Sequence, residues 1–329
     1  MSITLLVIKG NKAYDVSQLV QSIAWGGKKS AMARSIEVTM LDYDRDGQAR
    51  PDIDVNEGHM CLFQWNGKEL FRGIFVTTKQ SSKRTASYKA YDLGMYLTKN
   101  MGTFTYKKKT ATHIFKAICK QFEIPYDAVE TGYSISKLTM SNTTAADAVY
   151  QALAKTYKAN GKRFYVRADQ GKLHLISRAD NVVGLVLKEG SNAIEYSRER
   201  STENTYTRVK LFSDANKKLA SAEDTAIEAK LGIMQYSEQG DSKLGKAKLA
   251  TKAKTLLKIK KRTEETLEIE AIGDPSVYSG VAVYLSMPYL GIKQVFYVDE
   301  DEHTFKGNMH TMRLKLNAVN DVEGIDDID

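Results

Sequence analysis

The sequence predicts an α+β protein that is mainly β, with two related antiparallel all-β modules on either side of a small α/β domain. Three observations carry this. Residues 58–92 alternate apolar and polar side chains around Asn66-Gly67, a dipeptide suited to the two positive-φ positions of a type I′ hairpin turn. The same layout returns over residues 280–316. Aligned without gaps, Gly58 falls on Gly280, Phe75 on Tyr297, Val76 on Val298, and Asn66-Gly67 on Pro288-Tyr289. Between the two, the apolar period changes from that of a strand to that of a helix.

Taken in order, residues 1–100 form the first module. Strands are expected over 3–8, 19–25 and 36–41, where Ile36, Val38 and Met40 alternate with Glu37 and Thr39 so that one face meets a core and the other water. A polar loop over 42–57 precedes the opening hairpin. Residues 101–187 form the α/β domain. Ala111, Ile114, Phe115, Ile118, Cys119 and Phe122 lie on one helical face ended before Pro125. A second helix runs from about Thr144 to Lys158, with Thr144 and Asp147 as a capping box and Asn160-Gly161 as its stop. A hairpin over 163–177 turns at Asp169-Gln170-Gly171. Residues 188–320 form the second module. It includes a polar stretch over 214–240 with a short strand at 232–236, and a basic helix over about 241–262. Residues 321–329 are expected to be an acidic, flexible tail.

The 329-residue chain carries a net charge of +8, and its last nine residues hold five acids and no base, which leaves the remainder at about +13. No apolar run approaches the roughly 18–20 residues of a membrane helix. The first residues lack a basic leader, apolar segment and cleavage site, so synthesis in the bacterial cytoplasm without a signal peptide is expected, as is no membrane insertion. Cys61 and Cys119 read as buried free thiols.

Several patterns resemble chemical sites and fall short. Gly240 to Lys246 has P-loop spacing, but Ala247 stands where a magnesium-binding hydroxyl belongs and no buried parallel strand precedes it. Asp42, Asp44, Asp46 and Gly47 mimic half of an EF-hand loop, yet Ile53 occupies the bidentate Glu position. His59, His113, His174, His303 and His310 show no metal spacing. Acidic pairs such as Glu264-Glu265 do not define a hydrolase. Lysines of the basic helix (Lys252, Lys254, Lys258, Lys260) and the run Tyr106-Lys107-Lys108-Lys109 offer phosphate contacts, and the helix lacks the interleaved aromatics that single strands stack on. No catalytic, cofactor or metal residues are assigned and no cofactor is expected. A nucleic-acid-binding β-barrel protein and, more weakly, a cell-wall hydrolase stand as alternatives.

The layout over nearly the whole chain resembles the hub proteins of contractile phage tails and tail-like particles. The type is that of XkdQ and YqbQ from Bacillus prophages, distantly similar to the late-control D hubs. Tyr91-Asp92-Leu93-Gly94-Met95-Tyr96-Leu97 closing the first module carries the resemblance. So do the helix-rich insertion and the run from Ser201 to Val209 re-entering β structure. The resemblance implies that both modules are tail-tube-like barrels and that the chain is a structural protein, not an enzyme. It implies a homotrimeric, pseudo-sixfold ring joining a hexameric tail tube to a trimeric spike. Tube, spike and other baseplate proteins would be its partners, with the tape-measure protein a further one and DNA only as cargo.

Overall fold

The computed structural model describes residues 2–41, 55–80, 82, 85–178, 182–213, 217–240 and 245–318. The chain divides into two compact units, one made of residues up to Tyr196 together with those from Glu268 onward, the other of Ser197–Leu267.

The first unit opens with β1 (Ile3–Lys9), β2 (Lys12–Asp15), β3 (Val20–Lys28), β4 (Ser35–Leu41), β5 (Met60–Trp65), β6 (Lys68–Gln80) and β7 (Thr85–Tyr91). β2 flanks β1. The other six lie antiparallel in the order β1-β5-β6-β7-β4-β3. Alternation gives each strand an inner row, including Leu5 and Val7, Ile23 and Trp25, Ile36 and Val38, Cys61 and Phe63, Phe75, and Ala86 and Tyr88. All of them enter one core, so the sheet must curl around it.

An α/β region follows: α1 (Gly94–Lys99), β8 (Met101–Thr110), α2 (Ala111–Gln121), β9 (Tyr126–Ala128), β10 (Ser134–Thr144), α3 (Ala145–Asn160), β11 (Phe164–Asp169) and β12 (Lys172–Ser177). Its own core joins Ile114, Phe115 and Ile118 of α2 to Val149, Ala152 and Leu153 of α3. The ends of the helices follow the expected chemistry. Thr110 Oγ1 accepts from the His113 N–H at 3.1 Å, Thr144 and Asp147 form a capping box, and Gly161 closes α3 at φ +72. The long strands β8 and β10, which pair with each other, were not expected from the sequence.

β13 (Val182–Lys188) and β14 (Ala193–Ser201) return to the main sheet. Then come β15 (Arg208–Phe212), β16 (Lys218–Glu223), α4 (Thr225–Leu231), β17 (Gln235–Gln239) and α5 (Lys246–Lys260). The second unit holds a sheet of order β16-β15-β17, on which Leu249, Ala253 and Leu257 of α5 cover Val209 and Leu211. The basic helix expected over 241–262 is α5; residues 241–244 lie outside the described residues. The short strand expected over 232–236 is β17, three residues later, and α4 lies within the polar stretch 214–240, whose composition predicts no helix.

β18 (Glu264–Ile272), β19 (Ala282–Met287), β20 (Ile292–Lys306) and β21 (Met309–Asn317) complete the main sheet. Their neighbours follow the order β13-β19-β20-β21-β18-β14, which repeats the first set strand for strand with chain order preserved. The repetition extends to single bonds. The Gly58 N–H donates to the Phe75 carbonyl at 2.8 Å and the Gly280 N–H to the Val298 carbonyl at 2.9 Å, both glycines having positive φ (+88 and +102). A β-bulge follows one residue later in each copy, at Val76 and at Asp299.

The counterpart of Phe75 is therefore Val298, not Tyr297 as gapless alignment gives. Asn66-Gly67 turns in two residues (φ +52 and +78), and an extra residue at Leu70 adds one to β6. The second copy instead turns over Pro288–Leu290 and Gly291 with no bulge, a net difference of one residue. The copies also differ at their outer strand, β1 running antiparallel to β5 and β13 parallel to β19.

Candidate assembly surfaces

The two strand sets meet along β20. Its first half, Ile292 to Tyr297, pairs with β19; beyond the bulge, Glu300 to Phe305 pair with Lys28 to Ile23 of β3. The chemistry on the two sides matches. The acids Asp299, Glu300 and Asp301 face Lys29, Lys28 and Arg34, at 2.8, 2.9 and 2.5 Å for the closest atoms. The innermost pair is bidentate, Arg34 Nη1 and Nη2 donating to the two carboxylate oxygens of Asp301 at 2.8 and 2.5 Å. Burial pushes the Asp301 carboxyl up, but the Arg34 guanidinium outweighs it and holds the group below its ordinary value. The Ser279 N–H also donates to Asp301, and the guanidinium lies 4.4 Å from the centre of the Trp25 ring.

Glycines on β3 make this approach possible. A Cβ at Gly26 would stand 2.5 Å from the Asp301 carbonyl oxygen, and one at Gly27 within 2.8 Å of the Arg34 guanidinium. Asp92 anchors the other side of Arg34. Its carboxylate accepts from the Arg34 N–H at 3.1 Å and the Gly94 N–H at 2.9 Å, and burial raises its pKa to about 6.

Past the ion pairs, the tip of the β20–β21 hairpin enters the first core. Phe305 is wholly buried there against Phe63 and Trp65, ring centres 4.9 and 5.0 Å away. Two of the five histidines accompany it. His303 Nε2 is 2.7 Å from the Val277 carbonyl oxygen, which makes that nitrogen the donor and leaves Nδ1 to accept from His310 Nε2 at 2.9 Å. Burial lowers their pKa values to about 4 and about 3. The two histidines stand among the sequence candidates without metal spacing; Phe305 and the complementary runs 28–34 and 299–301 do not. A basic cluster and an acidic cluster at the ends of predicted strands were the available signal.

Among the described residues, the counterpart edges carry no strand. Beyond Ile74, β6 has β7 on one side and, among the described residues, no strand on the other; hydrogen bonding at Thr78 holds the Glu57 carboxyl there below its ordinary value. Among the described residues, β14, the counterpart of β3, has β18 as its one partner strand, with an isolated bridge from Ala193 to Glu189.

The remaining sequence candidates lie apart from this junction. His59, His113 and His174 are separately placed, half-buried or exposed. Cys61 and Cys119 are buried, which pushes the Cys119 thiol up to about 12. Among the described residues, no three His, Cys, Asp or Glu stand together as a metal site. The Asp42, Asp44 and Asp46 loop lies outside the described residues, as do 241–244 of the P-loop-like run. On α5, Lys252 pairs with Glu238 at 2.6 Å and Lys260 lies 4.8 Å from the Tyr236 ring centre, while Lys254 and Lys258 face solvent. Lys107 to Lys109 are exposed on β8. No helix is long and apolar enough to cross a membrane, among the described residues.

The YqbQ-like family model matches residues 23–317, a span that takes in both strand sets and everything between. The chain belongs to the YqbQ-like family. It is 35% identical to the phage-like element PBSX protein XkdQ of Bacillus subtilis (strain 168) over 98% of this chain and 99% of that one. To YqbQ of the same organism it is 32% identical, over 97% and 98%. The fold is that of the 43 kDa tail protein of prophage MuSo2 from Shewanella oneidensis, with a TM-score of 0.74, 15% identity and coverage of 96% and 98%. The resemblance to XkdQ-type phage-tail proteins read from the sequence is thereby shown.

Proposed function

We propose that this chain is a structural hub of a contractile tail baseplate. Three copies close a ring of six similar strand sets, joining a hexameric tail tube to a trimeric spike. The observation that carries the reading is the repeat itself: two strand sets of one order, joined by β20 lying on β3. The counterpart of that joint, the far end of β6 with β14, has strand edges to offer a neighbouring copy. Such a head-to-tail contact is heterologous and closes when its rotation completes a circle. Each strand set would then be a tube-like barrel presenting the same face to a sixfold partner. The α/β region and the second unit would be the decoration that distinguishes three protomers from six. The role is scaffolding rather than catalysis, and the protein is a component of the particle rather than of a membrane.

The test is the mass and symmetry of the assembled protein, alone and with tube and spike proteins. Particles of about 110 kDa, three times the chain's 36.8 kDa, with threefold symmetry and six similar lobes support the reading. A monomer at high concentration that binds neither tube nor spike overturns it.

A further inference from the structure

Within the first unit, β8 and β10 form a two-stranded ribbon of their own. One face is apolar and joins the helix core through Phe104, Ile135 and Leu138. Across the middle of the other face, Thr105 lies opposite Thr139 and Lys107 opposite Lys137, all four exposed. Directly opposite residues stand about 5 Å apart at Cβ, where two like charges destabilise the pairing. The next two residues add to the charge. Lys108 adopts φ +52, the alternation of the strand breaks there, and Lys108 and Lys109 are exposed as well.

Nothing in the ribbon offsets these charges. Its two strands hold four lysines and no Asp or Glu. Ion pairs of the surrounding region, Lys116 with Glu130 and Arg167 with Asp169, lie elsewhere, and among the described residues none of the four lysines has one. An anion lying across a like-charged pair relieves it, and three features select the anion. Protein-binding surfaces concentrate aromatic side chains, Met and Arg and are poor in Lys, whereas these positions present Lys and Thr alone. Ammonium and hydroxyl groups are donors suited to phosphate oxygens. Tyr106, the aromatic beside the lysines, is half-buried against the inner core, so its ring is not offered to an unpaired base. From this charge complementarity, we propose that the β8–β10 ribbon is a docking surface for the phosphate backbone of duplex DNA, whatever its base sequence. Lys107 and Lys137 bracket the backbone, and Lys108 and Lys109 extend the contact along β8. The contact needs one chain only, so it stands whether or not the ring forms.

The test measures binding of the full chain to a fluorescent duplex of about 20 base pairs by anisotropy, at about 50 and about 200 mM salt. Four phosphate contacts should weaken binding on the order of 100-fold between the two. The double variant K107Q with K137Q should lower the salt slope of log affinity by about 2. K137E separates docking from stability. It sets an acid opposite Lys107, so the urea midpoint should rise while affinity for the duplex at low salt falls at least about tenfold. The pair K254Q and K258Q, on α5, should leave affinity within about twofold. Absence of binding by the wild-type chain at low salt overturns the proposal, as does unchanged affinity in K137E or an equal loss in the α5 variant. Polyglutamate displacing the duplex as readily as unlabelled DNA also overturns it, in favour of an acidic protein surface.

Discussion

The hairpin β5–β6–β7 and its later counterpart β19–β20–β21 share a positive-φ glycine, a six-residue strand and a bulge at the same place, yet their far ends have parted ways. In the second copy the residues at and after the bulge are Asp299, Glu300, Asp301, Glu302 and His303, and each of the first three meets a cation of the first copy. In the first copy the same positions are Val76, Thr77, Thr78, Lys79 and Gln80. Phe305 is buried in a neighbouring core where its counterpart Ser82 is exposed. The difference separates a permanent joint, sealed by buried charge and an aromatic plug, from an edge without those devices. An edge that must remain soluble until a partner arrives is better served by threonine and lysine than by phenylalanine.

The comparison can be broken where it is strongest. Asp301→Ala leaves the Arg34 guanidinium buried without its carboxylate, and a loss of about 3–5 kcal/mol in urea unfolding is expected. A loss below about 1 kcal/mol would mean that the buried pair does not hold the copies together. Phe305→Ala should cost about 3–4 kcal/mol by opening the first core, while Ser82→Ala should change stability by less than about 0.5 kcal/mol. Similar effects at the two sites would erase the distinction between plug and free tip.

Acid sharpens it further. His303 and His310 take up protons near pH 4 and 3 in the folded chain, below the ordinary 6.5 they have when unfolded. The unfolded state therefore binds more protons between these values, and stability contributed by the neutral pair is lost as pH falls from about 6.5 towards 3. Asp92 works the other way. Its folded value of about 6 against 3.8 adds stability as pH falls through that window. Urea midpoints of the Asp92→Asn chain between pH 7 and 4 should thus fall more steeply than those of the wild type. Equal slopes would sink the assignment. A smaller loss than those at the joint compares the two turns: Gly67→Ala and Gly291→Ala, at φ +78 and +68, should each cost about 1 kcal/mol by thermal melting, because both turns need the left-handed region.

Local chemistry was legible in the sequence and long-range pairing was not. Asn66-Gly67, the Thr144–Asp147 capping box and the α2 face state their structure within a few residues, and each appears as read. The duplicated hairpin was visible as pattern, although a two-residue turn with a bulge and a four-residue turn without one give the same shape from different counts. The second unit's strands were obscure because β16 (KLASAE) and β17 (QYSEQ) are half-exposed and polar, their burial supplied by α5 and not by their own composition. The junction was hidden for a different reason. Lys28 and Glu300 are 272 positions apart, and nothing local says that one complements the other.

That separation also sets a schedule. β3 leaves the ribosome with one edge and the space beside Phe63 and Trp65 unfilled, and the residues that fill them, through Phe305, come about 280 positions later. At roughly 5–20 residues per second the gap lasts on the order of 15–55 s. For that interval the nascent first core is incomplete, and any other chain carrying the same β20 hairpin can compete for the opening. Synthesis in crowded polysomes would therefore favour exchange of this hairpin between growing copies, and a chaperone that shields Trp25 and its neighbours would act on this protein before its last strands exist.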